Sequence, residues 1–209
     1  DGTDGARVLK NADAAMYRAK QQGGNTYLLC TPAMKEKVQA RLALELNLRL
    51  ALERQEFRIY YQPVIDLRTG RITGMEALLR WDRPARGLVS PTEFIDVAEK
   101  TGLIVPLGFW VLQTACSQTK AWHAKGYRHL RVAINLSVRQ VWREDFPDEL
   151  QKLVTACVLD PNNLELEITE SMAIQNNQFI IPRLAAVSRL GVRLSMDDFG
   201  TGGSSLSAV

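Results

Sequence analysis

The spacing of apolar and polar positions changes character near residue 57. Before that point the period is helical. Ala12, Ala15, Met16 and Ala19 share one face of a helix predicted over 11–22, which Gly23-Gly24-Asn25 ends. Thr26 to Cys30 reads as one short strand. Met34, Val38, Leu42, Leu46 and Leu50 recur every four residues and predict a second helix over 33–54, with Leu44, Leu48 and Leu52 widening its apolar face. From Phe57 the pattern becomes strand-like: Phe57–Ile65 and Arg71–Trp81 flank the turn cluster Asp66–Gly70 and predict a hairpin. A polar loop with Pro84, Gly87 and Pro91 leads to helices over 92–100, capped by Thr92, and over 107–124. Strands over 130–136, 164–169 and 192–196 then alternate with helices over 146–158 and 177–190. Strands alternating with helices argue for a parallel sheet, either open or part of a β/α barrel.

The strands share a second pattern. Several end in an acid or an amide: Glu76 in the hairpin's second strand, then Asn135, Glu167 and finally the pair Asp197-Asp198. Side chains at strand ends of a β/α barrel converge on one mouth, so such a series marks a candidate active face. All of these donors are oxygen atoms, which suits Mg2+ or Mn2+ and disfavours zinc. Met196-Asp197-Asp198-Phe199-Gly200-Thr201-Gly202 is the densest stretch, because two carboxylates meet a turn that Gly200 and Gly202 permit. By itself this stretch reads equally well as a cation site or as an acidic turn capping a following helix. In isolation Gln62 reads as a strand-end cap, Arg80 as a surface ion-pair partner and Asn135 as a turn residue. Glu165 shares a face with Glu167, and Arg193 with Asp197, so these two are expected to point inward below the metal residues and to pair.

Composition narrows the classes. Hydrophobic residues make up 46% and charged residues 23% of 209 positions, the balance of a globular protein able to bury a core. No apolar run approaches the ~20 residues that span a bilayer. A net charge of +3 is too small for a nucleic-acid stripe, so DNA is not expected as a partner. Cys30, Cys116 and Cys157 form no CxxC pair, which argues against zinc or a disulfide framework and fits a reducing cytoplasm. His123 and His129 read as surface residues. The polar start, Asp1-Gly2-Thr3-Asp4-Gly5, has neither an initiator Met nor a signal peptide and reads as the interior of a longer chain.

Six motifs in order carry a family resemblance. They are Tyr60-Tyr61-Gln62-Pro63-Val64, Glu76-Ala77-Leu78-Leu79-Arg80-Trp81, Pro91-Thr92-Glu93-Phe94-Ile95 with Ala98-Glu99, Asn135-Leu136-Ser137-Val138-Arg139-Gln140, Glu167-Ile168-Thr169-Glu170-Ser171 and Asp197-Asp198-Phe199-Gly200-Thr201-Gly202. Residues 40–209 thereby resemble the EAL family of bacterial cyclic-di-GMP phosphodiesterases. Leu9 to Lys20 with Gly24-Asn25 resembles the C-terminal end of a GGDEF (diguanylate cyclase) domain. The implied organisation is a GGDEF remnant over 1–29, a linker helix over 30–54 and the first part of an EAL domain over 40–209.

The resemblance implies an α/β fold: a modified TIM-type barrel with an antiparallel first strand, here lacking its last strands. It implies that Glu76, Asn135, Glu167, Asp197 and Asp198 bind two Mg2+ or Mn2+ ions. These ions would activate a water that opens cyclic-di-GMP to linear pGpG. It further implies that Arg80 and Gln62 contact substrate, and that Glu170 holds the loop after Asp198 in its working shape. A cytoplasmic homodimer is implied, with any membrane anchor of the parent lying upstream. Gly203 and Ala208 stand where the family usually carries aromatic residues. The family's sixth-strand lysine, later glutamate and final glutamine would all fall beyond Val209, so this span by itself is expected to be weakly active or inactive. The alternative is a degenerate EAL module that binds cyclic-di-GMP as a sensor or serves as an interaction scaffold; the ligand set, intact through Asp198, favours the enzyme.

Overall fold

A computed structural model describes residues 4–21, 23–84, 86–169 and 177–197. The chain divides into two compact units, Asp1–Leu50 and Ala51–Val209. The first unit holds helix α1 (Gly5–Gln21) and most of helix α2 (Pro32–Glu53). Thr26 to Cys30 between them is not a strand. A lone extended segment has no partner for its backbone groups, so strand propensity alone does not make a ladder.

The second unit is built on one sheet. Strands β1 (Phe57–Ile65) and β2 (Ile72–Arg83) form the expected antiparallel hairpin, and a short β3 (Gly87–Val89) folds back on the end of β2. The hairpin turn is set by Asp66, whose carboxylate accepts from the backbone N–H of Arg68 at 2.9 Å and Thr69 at 2.8 Å. Gly70 follows at φ 68°, a left-handed conformation that favours glycine. Next come helices α3 (Pro91–Thr101) and α4 (Ile104–Ala124), strand β4 (Arg131–Asn135), a four-residue helix α5 (Val138–Val141) and helix α6 (Phe146–Cys157). Strand β5 (Leu164–Thr169), helix α7 (Asn177–Arg189) and strand β6 (Arg193–Asp197) complete the described chain. Ser90, not Thr92, occupies the N-cap of α3, because Pro91 already has helical geometry and takes the first helical position.

The sheet order is β1-β2-β4-β5-β6, with β2, β4, β5 and β6 mutually parallel. The antiparallel first strand and the parallel remainder agree with the expected barrel type, and among the described residues the sheet is not closed. One sheet face carries Ala77, Val132, Ile134, Leu164, Leu166 and Ile168, all buried. They pack with Leu112, Ala115 and Cys116 of α4, Leu150 and Val154 of α6, and Ile180 and Val187 of α7. At roughly 2 kcal/mol for each fully buried Leu or Ile, this face supplies the main favourable term for folding. At one end Phe57, Trp81 and Phe94 form an aromatic cluster with ring centroids 5.6–5.9 Å apart. The buried Trp81 satisfies its indole N–H by donating to Glu56 Oε2 at 3.0 Å. Among the described residues no helix is long and apolar enough to cross a membrane.

Candidate active site

Strand parity brings the candidate residues together. Gln62 lies opposite Glu76, Glu76 level with Ala133, Asn135 level with Glu167, and Thr169 level with Asp197. Side chains two apart share a face, so Gln62, Glu76, Asn135, Glu167 and Asp197 all stand on the face opposite the helices. The row climbs two residues between β2 and β4 and two more between β5 and β6, the stagger of a sheet coiling toward a barrel. Arg80 stands on the same face, about 13 Å further along β2 at the usual strand rise. Its guanidinium Nη1 donates to the carbonyl oxygen of Leu79 at 2.8 Å. Glu170 and Asp198 lie outside the described residues, as do Gly203 and Ala208.

Two observations give the site its electrostatic character. Asn135 Nδ2 donates to Glu76 Oε1 at 3.0 Å, tying the ends of β4 and β2 together and leaving the amide oxygen of Asn135 as an acceptor. The Glu167 carboxyl is raised from 4.5 to about 7, first by burial and then by the negative charges of Glu76, Asp197 and Glu165. Ser195, level with Glu167, has a buried hydroxyl without a hydrogen-bond partner among the described residues. Crowded carboxylates, an amide oxygen and an orphaned hydroxyl form an all-oxygen donor set that fits a hard divalent cation in kind. Among the described residues, no three acidic, thiol or imidazole groups already stand close enough to hold one ion together.

The expected pairing of Glu165 with Arg193 is not found. The two are level in the β5–β6 register, on the same face as Glu167 and Asp197. Arg193 is exposed, and its Nε donates instead to the Asn162 carbonyl at 3.2 Å. The reason is solvent: Arg193 is exposed, so its charge needs no partner to escape a dry interior.

Sequence reasoning passed over the turn behind Asn135. Ser137 and Gln140 form a capping box at the start of α5, and Gln140 is 2% exposed. Ser137 Oγ donates to Glu99 Oε1 of α3 at 2.7 Å. The signal was present as Ser-x-x-Gln, but α5 is too short to register as a periodic pattern.

Residues 45–209 match the EAL domain family. The chain belongs to the EAL family. MucR of Pseudomonas aeruginosa, a bifunctional diguanylate cyclase/cyclic di-GMP phosphodiesterase, is 42% identical over 206 residues, covering 99% of this chain and 30% of the relative. The cyclic di-GMP phosphodiesterase PdeR of Escherichia coli is 41% identical over 206 residues, covering 99% of this chain and 31% of that protein. The chain thus spans between about a quarter and a third of the length of the curated relatives it matches. Among solved structures, the PaMucR phosphodiesterase in its c-di-GMP complex aligns with a TM-score of 0.75 at 42% identity, covering 79% of this chain and 67% of that one. The EAL enzyme Bd1971, in a form bound to cAMP and cyclic-di-GMP, aligns with a TM-score of 0.76 at 32% identity, covering 97% and 53%.

Proposed function

We propose that this EAL domain is the catalytic part of a metal-dependent phosphodiesterase that hydrolyses cyclic-di-GMP to linear pGpG. The observation that carries the reading is the row Glu76–Asn135–Glu167–Asp197 on one sheet face, with Glu167 raised to about 7 by burial first and by its neighbours' charge second. A half-buried carboxylate set among like charges suits a cation. Glu76, Asn135, Glu167 and Asp197, with Asp198, would hold two Mg2+ or Mn2+ ions. When bound, such ions lower the pKa of a coordinated water and neutralise charge building on phosphate. Water adds to one phosphorus, the P–O3′ bond breaks, and the leaving oxygen takes a proton.

The chain's own residues have separate tasks in this reaction. Arg80 exchanges the Leu79 carbonyl for a phosphate oxygen, which its planar fork can engage at two points. Gln62, opposite Glu76 on β1, contacts substrate at the edge of the site. The Asn135–Glu76 hydrogen bond holds two strand ends at a fixed separation. Glu170 supports the loop after Asp198. The likeness to MucR over nearly the whole chain supports reading residues 1–29 as the end of a GGDEF domain and 30–54 as a linker helix. The working form is read as a cytoplasmic homodimer.

The test is hydrolysis of cyclic-di-GMP in Mn2+, with pGpG followed by chromatography. Product that disappears with Glu76→Gln supports the assignment. Tight cyclic-di-GMP binding without product, in a protein containing the rest of the barrel, overturns the enzyme in favour of a sensor.

A further inference from the structure

A glycine in the interior of α4 and a buried glutamine in a one-turn helix stand against each other. Gly108 weakens α4 relative to alanine there, so its presence calls for a packing reason. The structure supplies one: a Cβ added at Gly108 would lie 2.2 Å from Gln140 Nε2 and 2.4 Å from its Cδ. The Gln140 amide therefore lies directly on the α4 backbone. Burying an amide is costly unless it is held by hydrogen bonds. Gln140 Oε1 accepts from the Ser137 backbone N–H at 3.1 Å, and Ser137 Oγ accepts from Arg139 N at 3.3 Å.

The clamp has a second jaw. Glu99 of α3 accepts from Ser137 Oγ at 2.7 Å, while the Leu136 N–H donates to the Glu167 carbonyl at 2.9 Å. Residues 136 and 137, which follow Asn135 directly, are thus pinned from α3, α5 and β5. A helix of one turn cannot hold its own shape, so this turn is as rigid as its side-chain ties. A cavity of about 340 Å³ adjoins it, lined by Arg80, Glu99, Gly108, Asn135, Ser137 and Gln140 among others.

We propose that Gln140 is a positioning residue for Asn135: seated on Gly108 and tied to Ser137, with Glu99 on the other side, it fixes the turn that presents the Asn135 amide to the site's carboxylates. The proposal rests on the metal-dependent reading above and adds a supporting residue to it. Partners that orient a ligand from behind typically change metal affinity or activity by about 10–100-fold when removed.

The experiment titrates Mn2+ into the protein by calorimetry and measures cyclic-di-GMP turnover alongside. Gln140→Ala is expected to weaken Mn2+ binding by about 10-fold or more and to lower kcat with KM nearly unchanged. Gln140→Glu keeps an acceptor for Ser137 N and is expected to recover most of both. Gly108→Ala, whose methyl group displaces the amide, is expected to behave like Gln140→Ala. If Gln140→Ala does not fold, Glu99→Ala is read in the same way. A variant that lowers Tm but leaves Mn2+ affinity and kcat at wild-type values makes Gln140 a structural cap only and overturns the proposal. If the wild type neither binds Mn2+ nor opens cyclic-di-GMP, the functional reading falls and the Asn135 side-chain amide resonance decides positioning. That resonance should shift in Gln140→Ala and return in Gln140→Glu; an unchanged resonance overturns it.

Discussion

Along β5, Leu164, Leu166 and Ile168 are buried against helices, while Glu165 and Glu167 alternate with them onto the opposite face. In β4 the division is less complete: Val132 and Ile134 are buried and Asn135 is exposed, but Ala133, on the polar face, is buried as well. One face is a close-packed core whose worth scales with the apolar area removed from water. The other gathers like charges that destabilise one another until something neutralises them. Parity lets one strand serve both purposes because successive side chains never meet. The lesson is that stability and chemistry here are separable residue by residue, even at adjacent positions.

Substitutions at neighbouring positions test that separation most strongly. Glu167→Gln is expected to lower cyclic-di-GMP hydrolysis by about 10²-fold or more, the scale of removing one group that stabilises transition-state charge. Its urea midpoint should hold or rise, since a repulsive charge is lost. Leu166→Ala, one residue away, should cost about 2–5 kcal/mol in urea unfolding through the cavity it leaves. The comparison breaks if Glu167→Gln unfolds the protein or if Leu166→Ala leaves the midpoint in place.

A smaller effect follows from protonation. Glu167 is raised from 4.5 to about 7, so between those values the folded state holds a proton that the unfolded chain has lost. Stability of the chelator-treated protein should therefore fall as pH rises from about 4.5 to 7, then level off. Urea midpoints at pH 5 and 8 check this, and Glu167→Gln should remove that part of the slope. Mg2+ added at pH 8 should restore stability if the open face takes a cation.

The mildest test probes the covered face. Cys116 is fully buried, and burial pushes its thiol up to about 12, with Cys157 nearby adding to the shift. The folded protein should leave Cys116 unmodified by maleimide at pH 8, while Cys30, outside the core, reacts. Mass spectrometry of labelled peptides checks the ratio, and fast labelling of Cys116 would show the helix layer to be loose.

Much of this architecture was readable from the chain. The switch from a helical period to strand spacing near Phe57 located the hairpin, and acids or amides ending successive strands marked the candidate site residues that share one sheet face. Those signals are strong because burial imposes them over many residues. Short elements left none: β3 has three residues and α5 has four, and both exist through contacts with β2 and Ser137. Thr26–Cys30 shows the converse, strand-like residues that no neighbouring strand completes.

Residue order alone sets which residue types stand at the strand ends and which face each occupies, because alternation is a local property of an extended chain. Their relations to one another come from folding. Register set Asn135 level with Glu167, burial and then neighbouring charges raised Glu167, and exposure to solvent left Arg193 bonded to Asn162 rather than to Glu165. Likewise Gly108 and Gln140, 32 positions apart, acquire their meaning only when α4 and α5 meet. Charge and contact act through space, and folding brings together positions that their order in the chain keeps far apart.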